Sequence, residues 1–381
     1  MSVITNDNNL ILSNFISIQN SHTVATEGYH QPYVRTGYEH ILSNRTTDMF
    51  AYTAKEDGRV ISKNNKGIIV EYKDGSKKGV TLGRVYGKSE GSVYPHDIVS
   101  PLSVNDEFKK GDTIAYNTGF FEPDVLDPKN IIYKTSLTVK VALLESNQTY
   151  EDSSAISYRL EDKLKTKTTK VKSIVVNFNQ NLLDVVQPGS SIKPNDILMV
   201  IEDEITSVTS AFDEASLQAL KKLSNQTPLS KYEGIVDKIE VFYHGDKNDM
   251  SASLRNLADK SDKMMADICR SSGKSIITGR VNNEYRVDGN PLILDRAEIK
   301  IYITIETNSG VGDKLIFGNQ GKSVIGQVME YDIIAEDGTP VDALFGNTGF
   351  AARIINSPME IGTTISLLKH IAKKAVEMYE E

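Results

Sequence analysis

Short runs in which apolar and polar residues alternate, each closed by glycine, aspartate or asparagine, recur along the whole chain. Alternation with a period of two places every second side chain on one face of an extended strand, so these runs predict β-strands. Examples are residues 58–60, 67–72, 131–144, 171–178 and 234–242. Because such strand signals outnumber helical ones, the sequence predicts an α+β fold that is mostly β.

One turn pattern occurs twice between such apolar runs. Residues 108–114 read FKKGDTI and residues 192–198 read IKPNDIL. In both, an apolar residue precedes lysine, a turn-forming residue precedes aspartate, and an apolar run follows. The pattern predicts a turn at which a strand re-enters a small barrel or sandwich.

Three segments have helical spacing instead: residues 213–223, 250–272 and 363–379. Gly273 is a natural stop for the second helix. The third has an apolar stripe typical of a core or a subunit interface. We therefore predict a β-rich region at 1–200, a protruding insertion with helices at 201–297, and a final region at 298–381 that contains a glycine-rich loop and the C-terminal helix.

Composition excludes several classes of protein. The net charge of −8 argues against a protein that wraps nucleic acid with its own basic surface, and the basic run at 159–172 is typical of a solvated edge. The single cysteine, Cys269, can form neither an internal disulfide nor a zinc site, and the histidines have no ligand spacing, so no intrinsic metal site is predicted. The sequence has no secretory signal or membrane-spanning run, which predicts a cytosolic protein.

The segment that starts at Gly312, GDKLIFGNQGKSVIG, carries the strongest chemical signal. Glycines allow a phosphodiester to approach the backbone, and Lys314 and Lys322 can act on it as point charges. Each lysine–phosphate attraction is on the order of 4 kcal/mol before desolvation costs. Gly321-Lys322-Ser323 mimics the end of a nucleotide-binding P-loop, but Ile316 stands where that motif needs its first glycine.

The same segment resembles the active-site region of RNA polymerase β subunits. Gly312-Asp313-Lys314 and Lys322 match the family pattern GDKxxxRHGNKG, residues 338–342 read GTPVD, and residues 349–353 (GFAAR) are similar to GxPSR. Residues 150–152 (YED) fall where the family has FEDA. The resemblance implies the C-terminal architecture of that subunit: a barrel-like hybrid-binding domain, a flap-like insertion and a helical C-terminus.

The resemblance also implies roles for individual residues. Lys314 and Lys322 would contact phosphates at the RNA 3′ end, and Arg353 would contact phosphates of the incoming nucleotide. Glu151 and Asp152 would assist a second metal through water. Asn319 and Gln320 are the remaining residues implied to act near substrate or nucleic acid. In the family the catalytic Mg²⁺ is bound by aspartates of the β′ subunit, so the cofactor would belong to a partner.

A separate polypeptide of this kind is similar to the split β subunits of giant bacteriophage polymerases. It would be inactive alone and would function with an N-terminal β fragment, β′ fragments, DNA template, RNA transcript and nucleotides, away from membranes, in the host bacterial cytoplasm or in the virion. The alternative is a non-catalytic scaffold or nucleic-acid-binding protein that kept the β-subunit fold. A stand-alone nucleotide-using enzyme is disfavoured because neither metal ligands nor a P-loop is evident.

Overall fold

The structure is a computed structural model that describes residues 23–31, 35, 37–89, 91–134, 137–202, 226–317, 321–353 and 356–380. Strands account for 39% and helices for 20% of the described residues, which confirms the predicted α+β class with β predominant. None of the helices described is both long enough and apolar enough to cross a membrane.

The strands are β1 (Ala51–Thr53), β2 (Gly58–Lys63), β3 (Gly67–Tyr72), β4 (Lys77–Thr81), β5 (Gly83–Ser89), β6 (Ser92–Val99), β7 (Glu107–Phe108), β8 (Thr113–Asn117), β9 (Phe121–Pro123), β10 (Ile131–Tyr133), β11 (Val141–Leu143), β12 (Ser153–Ser157), β13 (Thr166–Asn177), β14 (Asn181–Leu183), β15 (Ser191–Ile192), β16 (Val200–Glu202), β17 (Gly234–His244), β18 (Arg286–Val287), β19 (Asn290–Pro291), β20 (Arg296–Thr307), β21 (Lys314–Phe317), β22 (Gly321–Met329) and β23 (Ala343–Phe345). The α-helices are α1 (Tyr158–Lys163), α2 (Ala252–Ser271), α3 (Asn347–Arg353) and α4 (Ser357–Glu380), and short 3₁₀ helices lie at Tyr38–His40, Leu42–Asn44 and Lys247–Asp249.

The largest sheet has eight strands in the order β1-β8-β6-β13-β20-β17-β15, with β5 beside β6. Its central strand, β20, pairs with β13 along its whole length and with β17 on its other side. Ile299, Ile301 and Ile303 alternate along β20 and are at most 1% exposed. Leu254 and Ala258 of α2 belong to the same hydrophobic core. The period-two pattern of the sequence therefore marks the face that α2 covers.

The other face of this sheet is polar and aromatic. The Lys238 amine lies 4.8 Å from the ring centroid of Tyr86 and 4.4 Å from that of Tyr302. A bulge in β17 places Asp237 beside Lys238. The Asp237 carboxylate accepts hydrogen bonds from Arg84 and Tyr86. Burial raises the pKa of the Tyr86 hydroxyl, and the negative charge of Asp237 adds to this increase. These contacts attach the β5–β6 hairpin to the centre of the sheet.

A four-stranded sheet in the order β4-β3-β2-β7 packs against the end of α2. A Cβ atom at Gly79 would lie only 1.8 Å from the carbonyl oxygen of Ser272, so only glycine permits this approach. Helix α2 ends at Ser271, and Gly273 follows with a φ of 60°. The predicted helix at 250–272 and its stop at Gly273 are confirmed.

A five-stranded sheet in the order β11-β23-β12-β22-β21 contains the glycine-rich segment. Strands β21 and β22 form an antiparallel hairpin, whereas β12 pairs with β22 in parallel. The chain therefore brings residues 153–157 beside residues 324–329, although they are far apart in sequence. Because β21 is an edge strand, its outer side has no strand partner among the described residues.

Other predicted elements agree with the structure to different degrees. The run at 67–72 coincides with β3, and the runs at 58–60, 171–178 and 234–242 overlap longer strands. The prediction of one strand at 131–144 is wrong, because this segment contains two separate strands, β10 and β11. The C-terminal helix begins earlier than predicted, and its stripe is not core, since Leu368 and Ile371 are 42% and 61% exposed. The predicted helix at 213–223 lies outside the described residues.

The predicted boundaries at 200 and 297 do not separate sheets. Strand β13 comes from the first predicted region, β17 from the second, and β20 crosses the second boundary, yet all three are neighbours in the largest sheet. Pairing between distant strands depends on tertiary packing, and no shift in composition marks it. The three regions therefore share one sheet.

The turns predicted at 108–114 and 192–198 share one backbone geometry, which occurs four times in the described residues. In each turn, the backbone N–H of the first residue donates to the carboxylate of an aspartate three residues later, and the residue before that aspartate has a φ between 72° and 99°. The aspartates are Asp106, Asp112, Asp196 and Asp313. A positive φ favours glycine or asparagine, which explains the Gly-Asp and Asn-Asp pairs.

His96 on β6 packs against Phe50 and Phe120, and its Nδ1 lies 2.9 Å from the side-chain nitrogen of Asn117. The side-chain oxygen of Asn117 accepts a hydrogen bond from the backbone N–H of Gly119, which orients the amide with its NH₂ group toward His96. Nδ1 must therefore accept, so the imidazole is neutral with its proton on Nε2. Burial lowers the pKa of His96.

We expect this histidine to make stability depend on pH. The unfolded chain binds a proton at the ordinary histidine pKa of 6.5, whereas the folded chain resists protonation. The stabilisation is therefore complete above about pH 6.5 and is lost as the pH falls through the lower folded pKa. In urea unfolding at about pH 7.5 and about pH 5.5, His96→Gln should lose less stability on acidification than the wild type. His370→Gln, at an exposed site on α4, is the control; equal pH dependence in His96→Gln and wild type would contradict the assignment.

Candidate functional site

Lys314 and Lys322 lie on consecutive strands of the β21–β22 hairpin. Lys314 is opposite Val324 and Lys322 is opposite Ile316, so the two lysines are diagonal neighbours on one face. All four residues are exposed. Diagonal positions on paired strands are separated by roughly 7–8 Å. The structure therefore brings the two predicted lysines together on an exposed surface.

The other face of this hairpin is buried, and Ile325 packs there with Ile156, Leu160 and Ala343. Gly321, Ser323 and Ile325 alternate with the exposed residues of β22 and are buried. A Cβ atom at Gly321 would lie 2.7 Å from the ring of Phe350, so the missing side chain permits direct packing of α3. Lys322 and Phe350 are therefore on opposite faces of the hairpin.

Nucleic-acid contact is predicted for Asn319 and Gln320, which lie in the sequence between β21 and β22. Residues 318–320 lie outside the described residues. The described strands on either side end at Phe317 and resume at Gly321.

The lysine pair has no acidic counterpart within the described part of the chain. Neither Lys314 nor Lys322 is in an ion pair there, and the adjacent Asp313 uses its carboxylate to accept the backbone N–H of Gly310 at 2.9 Å. Asp313 belongs to the repeated turn and has a structural role. Two neighbouring ammonium groups favour an anion with several oxygens, such as a backbone phosphate. The arrangement suits phosphodiester binding.

Arg353, the last residue of α3, is bound to Asp152. Its guanidinium donates two hydrogen bonds of 2.5 and 2.9 Å to the two carboxylate oxygens. This pairing lowers the pKa of Asp152 and raises that of Arg353, so both remain charged. The side chains are 54% and 47% exposed, and arginine has five N–H donors, so Arg353 keeps donors for a second anion. The contacts described for Arg353 are with Asp152, and none joins it to Lys314 or Lys322 in the described part of the chain.

Glu151 and Asp152 are predicted to assist a metal through water. Asp152 is engaged by Arg353, and its backbone carbonyl accepts the N–H of Val324 at 3.0 Å. Glu151 is in an exposed turn with a φ of 55°. Across the described ranges, no group of three or more His, Cys, Asp or Glu side chains could hold a metal ion. These residues therefore do not by themselves fit a Mg²⁺ site.

The GTPVD segment at 338–342 has a structural role in the five-stranded sheet. Gly338 adopts a φ of 76° in its turn. The Asp342 carboxylate accepts the backbone N–H of Lys140 at 2.9 Å, and its backbone carbonyl accepts the N–H of Ser157 at 2.7 Å. Asp342 thus joins the chain before β11 to the end of β12, which supports the strands beside the hairpin.

The basic run at 159–172 covers α1 and the start of β13, and acidic neighbours neutralise much of it. The ion pairs are Arg159 with Asp332, Lys165 with Asp162, and Lys167 with both Glu27 and Glu306. This run is therefore a weaker candidate for phosphate binding than the lysine pair.

Glu145 is a site residue that the sequence does not reveal. Its carboxylate accepts the backbone N–H of Thr348 at 2.6 Å, at the amino end of α3. The partners are 203 positions apart in sequence. No local motif marks Glu145, because a cap supplied from so far away exists only in the folded chain.

No protein-family model matches this chain, and a search of curated proteins finds no match. Its function is therefore inferred from its motifs and its geometry.

Proposed function

We propose that this chain is the C-terminal part of the β subunit of a multisubunit DNA-dependent RNA polymerase, supplied as a separate polypeptide. In this role Lys314 and Lys322 bind phosphates at the RNA 3′ end, and Arg353 binds phosphates of the incoming nucleotide. The four ordered motif matches between residues 312 and 353 support the family. The assembly in this proposal is of the giant-bacteriophage type, active in the bacterial cytoplasm or packaged in the virion.

The lysine pair is the observation that carries this proposal. Like charges at directly opposite positions of a sheet face are destabilising, and diagonal neighbours such as Lys314 and Lys322 repel less strongly because they are farther apart. Lys314 and Lys322 nevertheless share an exposed face without an acidic partner in the described chain. A scaffold gains nothing from this repulsion, whereas a protein that binds a polyanion recovers the cost when the phosphates arrive. The geometry therefore favours phosphate binding over the scaffold alternative.

The contribution of this chain to nucleotidyl transfer would be positional and electrostatic. Mg²⁺ bound by a β′-like partner would supply activation of the 3′ hydroxyl and charge neutralisation at the leaving pyrophosphate. Lys314 and Lys322 would hold the RNA end in register and screen its charge, and Arg353 would orient the nucleotide. The chain alone is then expected to be inactive.

Helix α4 supports membership in an assembly. Leu368, Ile371 and Val376 on its apolar stripe are 42%, 61% and 55% exposed. An amphipathic helix with an uncovered apolar face is typical of a surface that another subunit covers. The partners in this proposal are an N-terminal β fragment and β′ fragments, together with template DNA, RNA and nucleotides.

The proposal can be tested by isolating the assembly through a tag on this chain and assaying RNA synthesis on a DNA template. We expect co-purifying chains, one of them with an aspartate cluster, and Mg²⁺-dependent synthesis that the chain alone lacks. Lys322→Ala should slow elongation by about tenfold. Lys88→Ala is the matched control, because Lys88 is an exposed lysine near the turn of another hairpin. An intact assembly without polymerase activity would favour the scaffold alternative.

A further inference from the structure

Both ends of helix α3 are held by carboxylates from one loop. Glu145 accepts the backbone N–H of Thr348 at the amino end, and Asp152 binds Arg353 at the carboxyl end. We infer that Glu145 and Asp152 are positioning residues that together set the place and direction of the Arg353 guanidinium. We call residues 144–152 the α3 clamp. Its effect on nucleotide binding rests on the function proposed for Arg353, whereas its effect on α3 does not.

The α3 clamp is ordered by its own hydrogen bonds. The Thr149 hydroxyl is buried and donates to the carbonyl oxygen of Leu144 at 2.5 Å, and it accepts the backbone N–H of Ser146 at 2.9 Å. A Cβ atom at Gly346 would lie 2.7 Å from the carbonyl oxygen of Thr149. The loop therefore touches the chain directly where α3 begins, and β11 and β12 anchor its two ends.

Helix α3 needs external support because it has only 7 residues. Helices this short are unstable in isolation, so their position is set by tertiary contacts. Phe350, in the middle of α3, packs against Gly321 of β22. The carboxylates of Glu145 and Asp152 hold the two ends of the helix. The backbone hydrogen bond from Thr348 lowers the pKa of Glu145, so a negative charge sits at the positive end of the helix dipole.

Asp152 could affect nucleotide binding in two opposite ways. Its charge competes with phosphate for Arg353, and this competition alone would make removal of the charge improve nucleotide affinity. Its two hydrogen bonds also orient the guanidinium in advance, which reduces the freedom that Arg353 loses when an anion binds. We infer that orientation is the larger effect, because Arg353 retains N–H donors and remains half exposed while bound to Asp152.

The clamp is tested first without any polymerase assay. Hydrogen exchange of the α3 backbone amides is measured in the full-length chain. Asp152→Asn and Glu145→Ala should each speed this exchange about fivefold. Glu145→Gln, which keeps an acceptor oxygen, should restore most of the protection that Glu145→Ala loses. Glu336→Gln, at an exposed acidic residue in another turn, is the control. Unchanged exchange in both clamp variants would overturn the inference.

The second test uses the assembled polymerase. Asp152→Asn should raise the KM for nucleotide about fivefold with less than about a twofold change in kcat, and Asp152→Glu should restore part of the loss. In an Arg353→Ala background, Asp152→Asn should have no further effect. A KM that falls or stays constant in Asp152→Asn would overturn the positioning role. If Arg353→Ala itself leaves KM unchanged, the function proposed for Arg353 fails, while the exchange experiment still decides on the clamp.

Discussion

Replacing both Lys314 and Lys322 with alanine is expected to slow single-nucleotide addition by the assembled polymerase by about a hundredfold. The lysines are diagonal neighbours on one exposed face, so both can act on the same phosphate group. Their removal leaves the developing charge at the RNA end without two of its stabilising cations. The rate is measured by rapid quench at saturating nucleotide, so that the result reports the chemical step and not substrate binding.

The control is the double variant Lys88→Ala/Lys231→Ala, which removes the same charge from exposed sites elsewhere. It should add nucleotides at the wild-type rate. Because Lys314 and Lys322 are exposed and outside ion pairs with described residues, the double variant should assemble normally, which gel filtration can verify. A full rate from a correctly assembled Lys314→Ala/Lys322→Ala enzyme would rule out the proposed contact. Each single variant should slow addition by about tenfold, and a loss in the double variant that differs from the product of the two single losses would measure the coupling between the lysines.

Ile301→Ala is expected to lower the free energy of unfolding by about 3 kcal/mol. Ile301 is fully buried at the centre of β20, in the core that the largest sheet shares with α2. The substitution removes apolar contacts and leaves a cavity that close packing on both sides cannot readily fill. Urea unfolding followed by far-UV circular dichroism measures the loss.

Val175→Ala on the neighbouring strand β13 is the matched control. Val175 is opposite Glu298 on the polar face and is 42% exposed, so its truncation should cost less than about 1 kcal/mol. Because β13, β17 and β20 share one sheet, Ile301→Ala should shift a single transition and not divide it into two. A cost similar to that of Val175→Ala would show that β20 is not at the centre of the core.

Much of the local structure followed from the sequence for local reasons. The alternation at residues 67–72 predicts β3, and the helical spacing before Gly273 predicts α2 and its end. These features depend on residues a few positions apart, which side-chain direction and backbone preference determine. The Gly-Asp and Asn-Asp turns are of the same kind, and one of them, at Asp313, places Lys314 at the start of its strand.

Local sequence patterns predict the strand-rich class and the α2 helix, and they single out Lys314 and Lys322 as candidate phosphate ligands. That Lys314 and Lys322 share a face depends on the register of the hairpin, which is set when the strands pair. Folding also brings Asp152 to Arg353, a residue 201 positions away, and Glu145 to the amino end of the same helix. Contacts over such separations arise when strands and helices pack, and no short-range pattern encodes which distant partners meet.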